Sequence, residues 1–341
     1  MKTTPLRLRF ALPAFLLATT AWGQATQYKV ADAFLLGGPG RWDYITADAM
    51  NGRLYVTRTT HVQVVDTKTG KLVADIPGQT SNHGVAVAPD AGRGFISDDS
   101  GALFIFDLKS FAVLGKVPVP EDADGVLYDP ATKKILTVCG EAGKLAMFDP
   151  NVNLNADGGK RVETIDLGGK PESFVVDRKG KAYVNLEDKD QVAAVDLLGK
   201  KVIARWDVKP GGVPVGLSID PEGTRLFVGC RKPAKMIVLS TADGKVLGDL
   251  PIGRGCDACA FDDGRAFASC GDGTVTVVNA PKEGPITLSQ TIKTAPGART
   301  MTVDPSTHTL YLPTADFGEK SGDKRPPVKE GTFKVVVVKA G

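Results

Sequence analysis

The chain has 341 residues, with 42 Lys and Arg against 39 Asp and Glu. Three of the basic residues, Lys2, Arg7 and Arg9, lie near the start, so the remainder is formally neutral. That balance excludes a broad phosphate-binding surface, which needs clustered excess Lys and Arg, and no nucleic-acid partner is expected.

The three basic residues precede a short apolar run from Phe10 to Ala18, and small residues follow at Ala21 and Gly23. This is the pattern of a cleaved secretory signal peptide over 1–23, with an apolar run too short for an anchor. The expected location is periplasmic or secreted. No later stretch has the ~18 apolar residues of a membrane span. Five cysteines in an exported chain permit up to two disulfides.

From Tyr28 the chain reads "YKVADAFLLGG", an apolar segment that looks like the later "GKVLGDLPIGRG". Seven units of one plan follow, beginning at Trp42, His83, Asp124, Glu172, Val215, Asp257 and Arg299, about 40 to 48 residues apart. Each has a short alternating strand, a D-P-x-x-x or D-x-x-G turn, and a second strand such as "RLYVT" or "RLFVG". A variable loop leads to a third apolar strand such as "VQVVD", and a T-x-x-G-K turn to a fourth. Four short strands per repeat make one propeller blade. No segment keeps the 3.6-residue apolar period of a helix. The seventh unit ends after "FKVVVV" without a fourth strand, which residues 28–36 supply. The expected fold is therefore all-β: residues 24–341 form a single seven-bladed β-propeller of four-stranded blades. The N-terminal strand closes it by pairing with the C-terminal blade. Closure hides two sheet edges, so a monomer is expected.

The stretches "NGRLYVT", "DPEGTRLFVG", "RWDYITAD" and "GARTMTVDPSTHTLYLPTADFG" resemble the YVTN-repeat, or YncE-like, β-propellers, in particular a secreted bacterial branch. The resemblance covers nearly all of the chain after the leader and implies the fold. Function has to be argued from the site.

Blade geometry puts the first strand of each unit innermost, so the residues at its start converge on a central channel. That column reads Asp43, His83, Asp124, Glu172, Val215, Asp257 and Arg299, six of seven ionisable in a chain that is 24% charged. With Trp42 alongside Asp43, and Glu187 on the same mouth as Glu172, these are the candidate ligand-binding residues. Crowded carboxylates repel unless neutralised. Arg299 can do this by pairing with Asp257 or Asp43. A divalent cation held by Asp43, His83, Asp124, Glu172 and Asp257 can do it instead. In that case His83 or Glu172 is the candidate catalytic base. Arg58, His61, Asp98, Asp99, Glu141, Asp188, Arg231, Lys232 and Asp272 sit in loops of the same face and read as solvated charges. A polar, flexible insertion at 316–331 rises on that face too, a candidate lid.

Several enzyme signatures are missing. There is no G-x-S-x-G elbow, no H-E-x-x-H and no phosphate loop, and His308 falls on the opposite face. Cys256 and Cys259 form a C-x-x-C with no histidine after it, which excludes a c-type haem site. In a regular strand the two point to opposite faces. One disulfide is expected among Cys230, Cys256 and Cys270. The leading functional expectation is an exported binding or scaffold protein whose acidic funnel takes a small polar ligand, a cation or a protein segment. The alternatives are a divalent-metal-assisted lyase or hydrolase, lactonase-like, and an electron-transfer partner resembling the heavy chains of amine dehydrogenases.

Overall fold

The structure, a computed structural model, describes residues 27–154, 162–320 and 326–341, together with Met1. The expected leader and the tip of the 316–331 insertion lie outside the described residues. After β1 (Tyr28–Leu35) come β2 (Ile45–Asp48), β3 (Arg53–Thr57), β4 (Thr59–Asp66), β5 (Leu72–Ala88), β6 (Arg93–Asp98), β7 (Ala102–Asp107) and β8 (Val113–Pro118). Strands β2 to β8 form one seven-stranded antiparallel sheet. Four-stranded meanders follow. The first is β9 (Ala123–Asp129), β10 (Lys134–Cys139), β11 (Lys144–Phe148) and β12 (Glu163–Asp166). The second is β13 (Pro171–Val176), β14 (Lys181–Leu186), β15 (Gln191–Asp196) and β16 (Lys201–Asp207). Then come β17 (Pro214–Ile219), β18 (Arg225–Arg231), β19 (Ala234–Ser240) and β20 (Val246–Pro251), and β21 (Cys256–Asp262), β22 (Arg265–Cys270), β23 (Thr274–Asn279) and β24 (Thr287–Lys293). The last sheet joins β25 (Thr302–Asp304), β26 (Thr309–Thr314) and β27 (Lys334–Ala340) to β1.

The long β5 explains why two units share one sheet. Its first part pairs with β4, from Val65↔Leu72 to His61↔Pro77, and its second part with β6, from Asn82↔Asp98 to Ala88↔Arg93. At its far end the chain pairs β1 with β27, from Tyr28↔Ala340 to Leu35↔Lys334.

Local chemistry sets the turns. The aspartate that ends a third strand turns its carboxylate onto the following backbone. Asp66 Oδ1 accepts from the N–H of Lys68 and Thr69, and Asp107 Oδ1 from those of Lys109 and Ser110. Gly70 completes the first of these turns at φ +68°, and Phe34 of β1 lies where its Cβ would be. Trp206 of β16 lies against Gly244, at φ +72°, in the same way. Strand β1 thus packs on its neighbour as an outer fourth strand does.

The apolar side chains form hydrophobic clusters between successive strand groups. One joins Ile45, Leu54 and Val56 of the first group to Tyr311, Val335 and Val337 of the last. Strands β2, the second part of β5, β9, β13, β17, β21 and β25 are successive neighbours, and β25 lies beside β2. Their upper ends carry the column that begins with Asp43.

Arg58 is a correction to the sequence reading. It was expected as a solvated loop charge and is fully buried. Its Nη1 donates to Gly37 O at 2.8 Å and Gln63 Oε1 at 2.7 Å, and its Nη2 to Gly38 O, Pro39 O and Gly40 O. The guanidinium also stacks on Phe333 at 3.5 Å from the ring centroid. It gathers the carbonyls of the link from β1 to β2, a Gly-rich stretch with few contacts of its own. Burial is the main influence on it and pulls its pKa down to about 10. Arg58→Met keeps much of the stem but strips the carbonyls of donors. It should lower stability by about 2–4 kcal/mol in urea denaturation. A loss below about 1 kcal/mol would show that water replaces the guanidinium.

Candidate functional site

Five of the sheets share an irregularity at the start of the inner strand. The register with the second strand slips between Asn82 and Val85, between Ala123 and Val126, between Pro171 and Phe174, between Pro214 and Gly216, and between Cys256 and Ala258. Each slip is a β-bulge with one extra residue, and the column residue lies in it: His83, Asp124, Glu172, Val215, Asp257. A bulge re-aims a side chain and bends the strand, a device common beside functional sites.

The column backbone is tied from blade to blade. Ser97 Oγ donates to Asp124 O, Ser269 Oγ to Arg299 O, and Asn185 Nδ2 to Val215 O at 3.0 Å. Thr300 Oγ1 donates to Asp43 O at 2.7 Å, and the Tyr44 N–H to His83 O at 3.0 Å. The small polar residues that end the second strands therefore fix the height of the neighbouring column residue.

His83 sits among three carboxylates. Its Nδ1 is 2.7 Å from Asp43 Oδ2 and 3.6 Å from Asp124 Oδ1, and its Nε2 is 2.6 Å from Asp99 Oδ1. Burial is the largest influence and works against the imidazolium. The hydrogen bond to Asp43 and the charges of Asp124, Asp43 and Asp99 together outweigh it and push the pKa up to about 10. His83 is thus a cation at neutral pH, with both ring nitrogens occupied. Burial, then the charges of Asp43 and Glu172, hold Asp124 well above the usual carboxylate range. Tyr44 follows Asp43 into the channel, where burial and the charges of Asp124, Glu172 and Asp43 raise its phenol.

Opposite this cluster Asp257 is clamped by two arginines. Arg231 Nη2 pairs with its Oδ1, Arg299 Nε with its Oδ2 at 2.7 Å, and Arg231 Nε donates to Cys256 O at 3.0 Å. Glu172 lies between the two groups. Burial first, then the charge of Glu187, raise it to about 7, against the opposing charge of Arg231. Above the column opens a cavity of about 620 Å³. It is lined by Asp43, His83, Arg299, Arg41 and Asn82, and by apolar Trp42, Phe317, Pro296 and Pro326.

Among the candidate ligand residues, Trp42, Asp43, His83 and Arg299 line this cavity, while Asp124, Glu172, Glu187 and Asp257 stand off its wall. Trp42 packs on Phe333 and Phe317, at ring-centroid distances of 5.3 and 6.1 Å. Among the described residues only Asp43, His83 and Asp124 converge as metal donors, their ligand atoms lying within 4.8 Å of one another. Glu172 does not join that group, and Asp257 is spent on its two arginines.

Other expectations are corrected. Asp98 is buried rather than solvated. It accepts from the N–H groups of Thr80, Ser81 and Ser100, which hold its carboxylate down at about 2 against the upward push of burial. Asp188 and Asp272 stay exposed, and their carboxylates cap the N–H of Lys170 and Arg254. No disulfide joins Cys230, Cys256 or Cys270, and all five cysteines are free thiols. Cys230 packs under Gly211 in a separate cluster, and Cys256 faces Cys270 across the ladder. The bulge at Asp257 also shifts the strand parity. Cys256 and Cys259 therefore point the same way, and a Cβ on Gly229 would collide with both sulfurs. The base of the insertion is a small ladder: Phe317 bridges Val328, Gly318 N donates to Pro327 O, and Lys329 N to Asp316 O. Sequence reasoning missed Tyr44, Arg41, Phe317 and the roles of Asp99 and Arg231. The run Arg41–Tyr44 was the available signal, since all four residues reach the channel or the cavity.

No protein-family model matches the chain, and no curated protein matches it. Among solved structures it is similar to a chain of Kuenenia stuttgartiensis hydrazine synthase. The identity is 15% and the TM-score 0.69, over 85% of this chain and 95% of that one. At that identity the likeness carries the fold alone, and with the sheets above it makes this chain a β-propeller. In all, 1735 solved chains match, so the architecture selects no function.

The raised Glu172 carboxyl gives a signed prediction. Its ionised form is disfavoured in the fold, so the cost is absent below about pH 4.5, grows as pH rises, and is complete above about pH 7. Glu172→Gln removes it. Parent and variant should match in stability at pH 4. By pH 8 the variant should be the more stable by about 1–3 kcal/mol in urea titrations.

Proposed function

We propose that the chain is an exported, monomeric, seven-bladed propeller of the YVTN-repeat kind that binds a small polar ligand in its funnel. Counting β5 once as a fourth strand and once as a first strand turns six sheets into seven four-stranded units. The pairing of β1 with β27 and the cluster between first and last groups support a closed ring. The repeats quoted above support the family, and the opening segment supports export.

The repeated bulge under the cavity carries the binding reading. A channel that merely tolerates water has no need of half-buried carboxylates. Burying them costs free energy, and here the cost recurs blade after blade at one level. Differential scanning fluorimetry against a library of small amines, acids, sugars and amino acids tests this. A true ligand at a hundredfold excess over its Kd stabilises the fold by about 2.7 kcal/mol. Asp43→Asn should abolish that shift. A library with no shift, or shifts indifferent to Asp43, would refute funnel binding.

The convergence of Asp43, His83 and Asp124 favours a second reading, a divalent-metal-assisted lyase or hydrolase. A cation there would replace the His83 proton, polarise a bound carbonyl and leave Glu172, near pKa 7, as the base. Because the metal must displace that proton, its apparent affinity should climb with pH. Mn²⁺ or Zn²⁺ added to metal-stripped protein should raise Tm more at pH 8.5 than at pH 6.5, and not in Asp124→Asn. Equal or absent shifts count against this reading.

A further inference from the structure

The column as a whole is acidic, yet the cavity wall above it is not. Its ionisable lining is Arg41, Arg299, His83 and one carboxylate, Asp43. Arg299 spends only Nε on Asp257, and among the described residues its two Nη atoms make no hydrogen bond. Asp257 is itself fixed by Arg231, so the guanidinium is held in place with its outer donors free. Arg41 is exposed, and among the described residues its side chain has no partner. A planar guanidinium with two free donors matches the geometry of a carboxylate. The rest of the wall is apolar and seated. Trp42 is held between Phe333 and Phe317, and Phe317 lies over Gly297, where a Cβ would strike its ring. A cavity of about 620 Å³ has room for a ligand of drug-like size.

We propose that this cavity takes a small organic carboxylate with a flat apolar body, the carboxylate on Arg299 and Arg41 and the body against Trp42 and Phe317. This rests on the funnel-binding reading and names its ligand class. Polyamines fit poorly, since they meet two free guanidiniums.

Three probes of one shape and different charge test it: benzoate, benzamide and benzylamine. The readout is Trp42 fluorescence in the chain from residue 24 carrying Trp206→Phe, which leaves Trp42 as the single tryptophan. Benzoate should quench saturably and bind about 10- to 100-fold more tightly than benzamide, with benzylamine weakest. Arg41→Gln should weaken benzoate about tenfold and leave benzamide unchanged, and Arg299→Gln should do at least as much. Since the Arg41 side chain is exposed and unpaired, a misfolded variant cannot explain its result. Binding of benzylamine equal to or tighter than benzoate overturns the carboxylate assignment and leaves funnel binding standing. So does benzoate binding indifferent to Arg41. If none of the three binds, the assignment falls, and the library screen with Asp43→Asn decides separately whether the funnel binds at all.

Discussion

Five inner strands carry one residue more than the partner strand can pair, and the site depends on that excess. In a regular antiparallel ladder the column residues would alternate with their neighbours, and their backbone would be used up in pairing. The bulge frees one residue per strand, turns its side chain toward the axis and leaves its carbonyl unpaired by the ladder. That carbonyl is then claimed from the preceding blade, by Ser97 for Asp124 and Asn185 for Val215, and Ser269 holds the carbonyl of Arg299, ahead of β25, in the same way. Fold and site are one construction here. The hydrogen bonds that tie blade to blade are those that hold the ionisable groups at one level.

The charges so placed could not persist bare in a narrow channel, and two local solutions keep them. His83 draws Asp43, Asp99 and Asp124 around a single proton, while Asp257 is shared by Arg231 and Arg299. The second solution leaves surplus cationic donors facing outward, and the first sets Asp124 off the cavity wall while Asp43 stays in it. The funnel therefore presents a basic mouth over an acidic throat. A count of column residues cannot foresee this, because it records which charges are present and not which face the cavity.

Whatever follows from periodicity was legible in the sequence: the strand rhythm, the column, the outer-strand role of β1 and Arg299 as partner to one of two acids, Asp257 or Asp43. What depends on breaking the period was not. Cys256 and Cys259 were assigned to opposite faces because a strand was assumed regular between them, and the bulge at Asp257 reverses the inference. Arg58 and Asp98 read as loop charges because nothing local marks a residue as a buried hub. Their partners are largely backbone groups of Gly37–Gly40 and of Thr80, Ser81 and Ser100, which no pattern of side chains announces. Arg231 reads as a solvated loop charge for the same reason: it reaches Asp257 from the end of β18, outside the column.

That reach resolves the one gap in the column. Val215 is buried and apolar, and the same strand group instead contributes Arg231 from its second strand. Taken in order around the axis, the groups are then Asp43, His83, Asp124, Glu172, Arg231, Asp257 and Arg299. Signs alternate everywhere except between Asp124 and Glu172. In the closed seven-membered ring proposed above, an odd number of unit charges cannot alternate without one like-signed neighbouring pair. Here the mismatch falls on two acids. Burial is the largest influence raising both carboxyls, joined by the charges of Asp43 and Glu172 at Asp124 and by that of Glu187 at Glu172. Glu172, raised to about 7, keeps a proton available near neutral pH at one place in the throat. That place is the Asp124–Glu172 side of the throat, whichever ligand occupies the mouth.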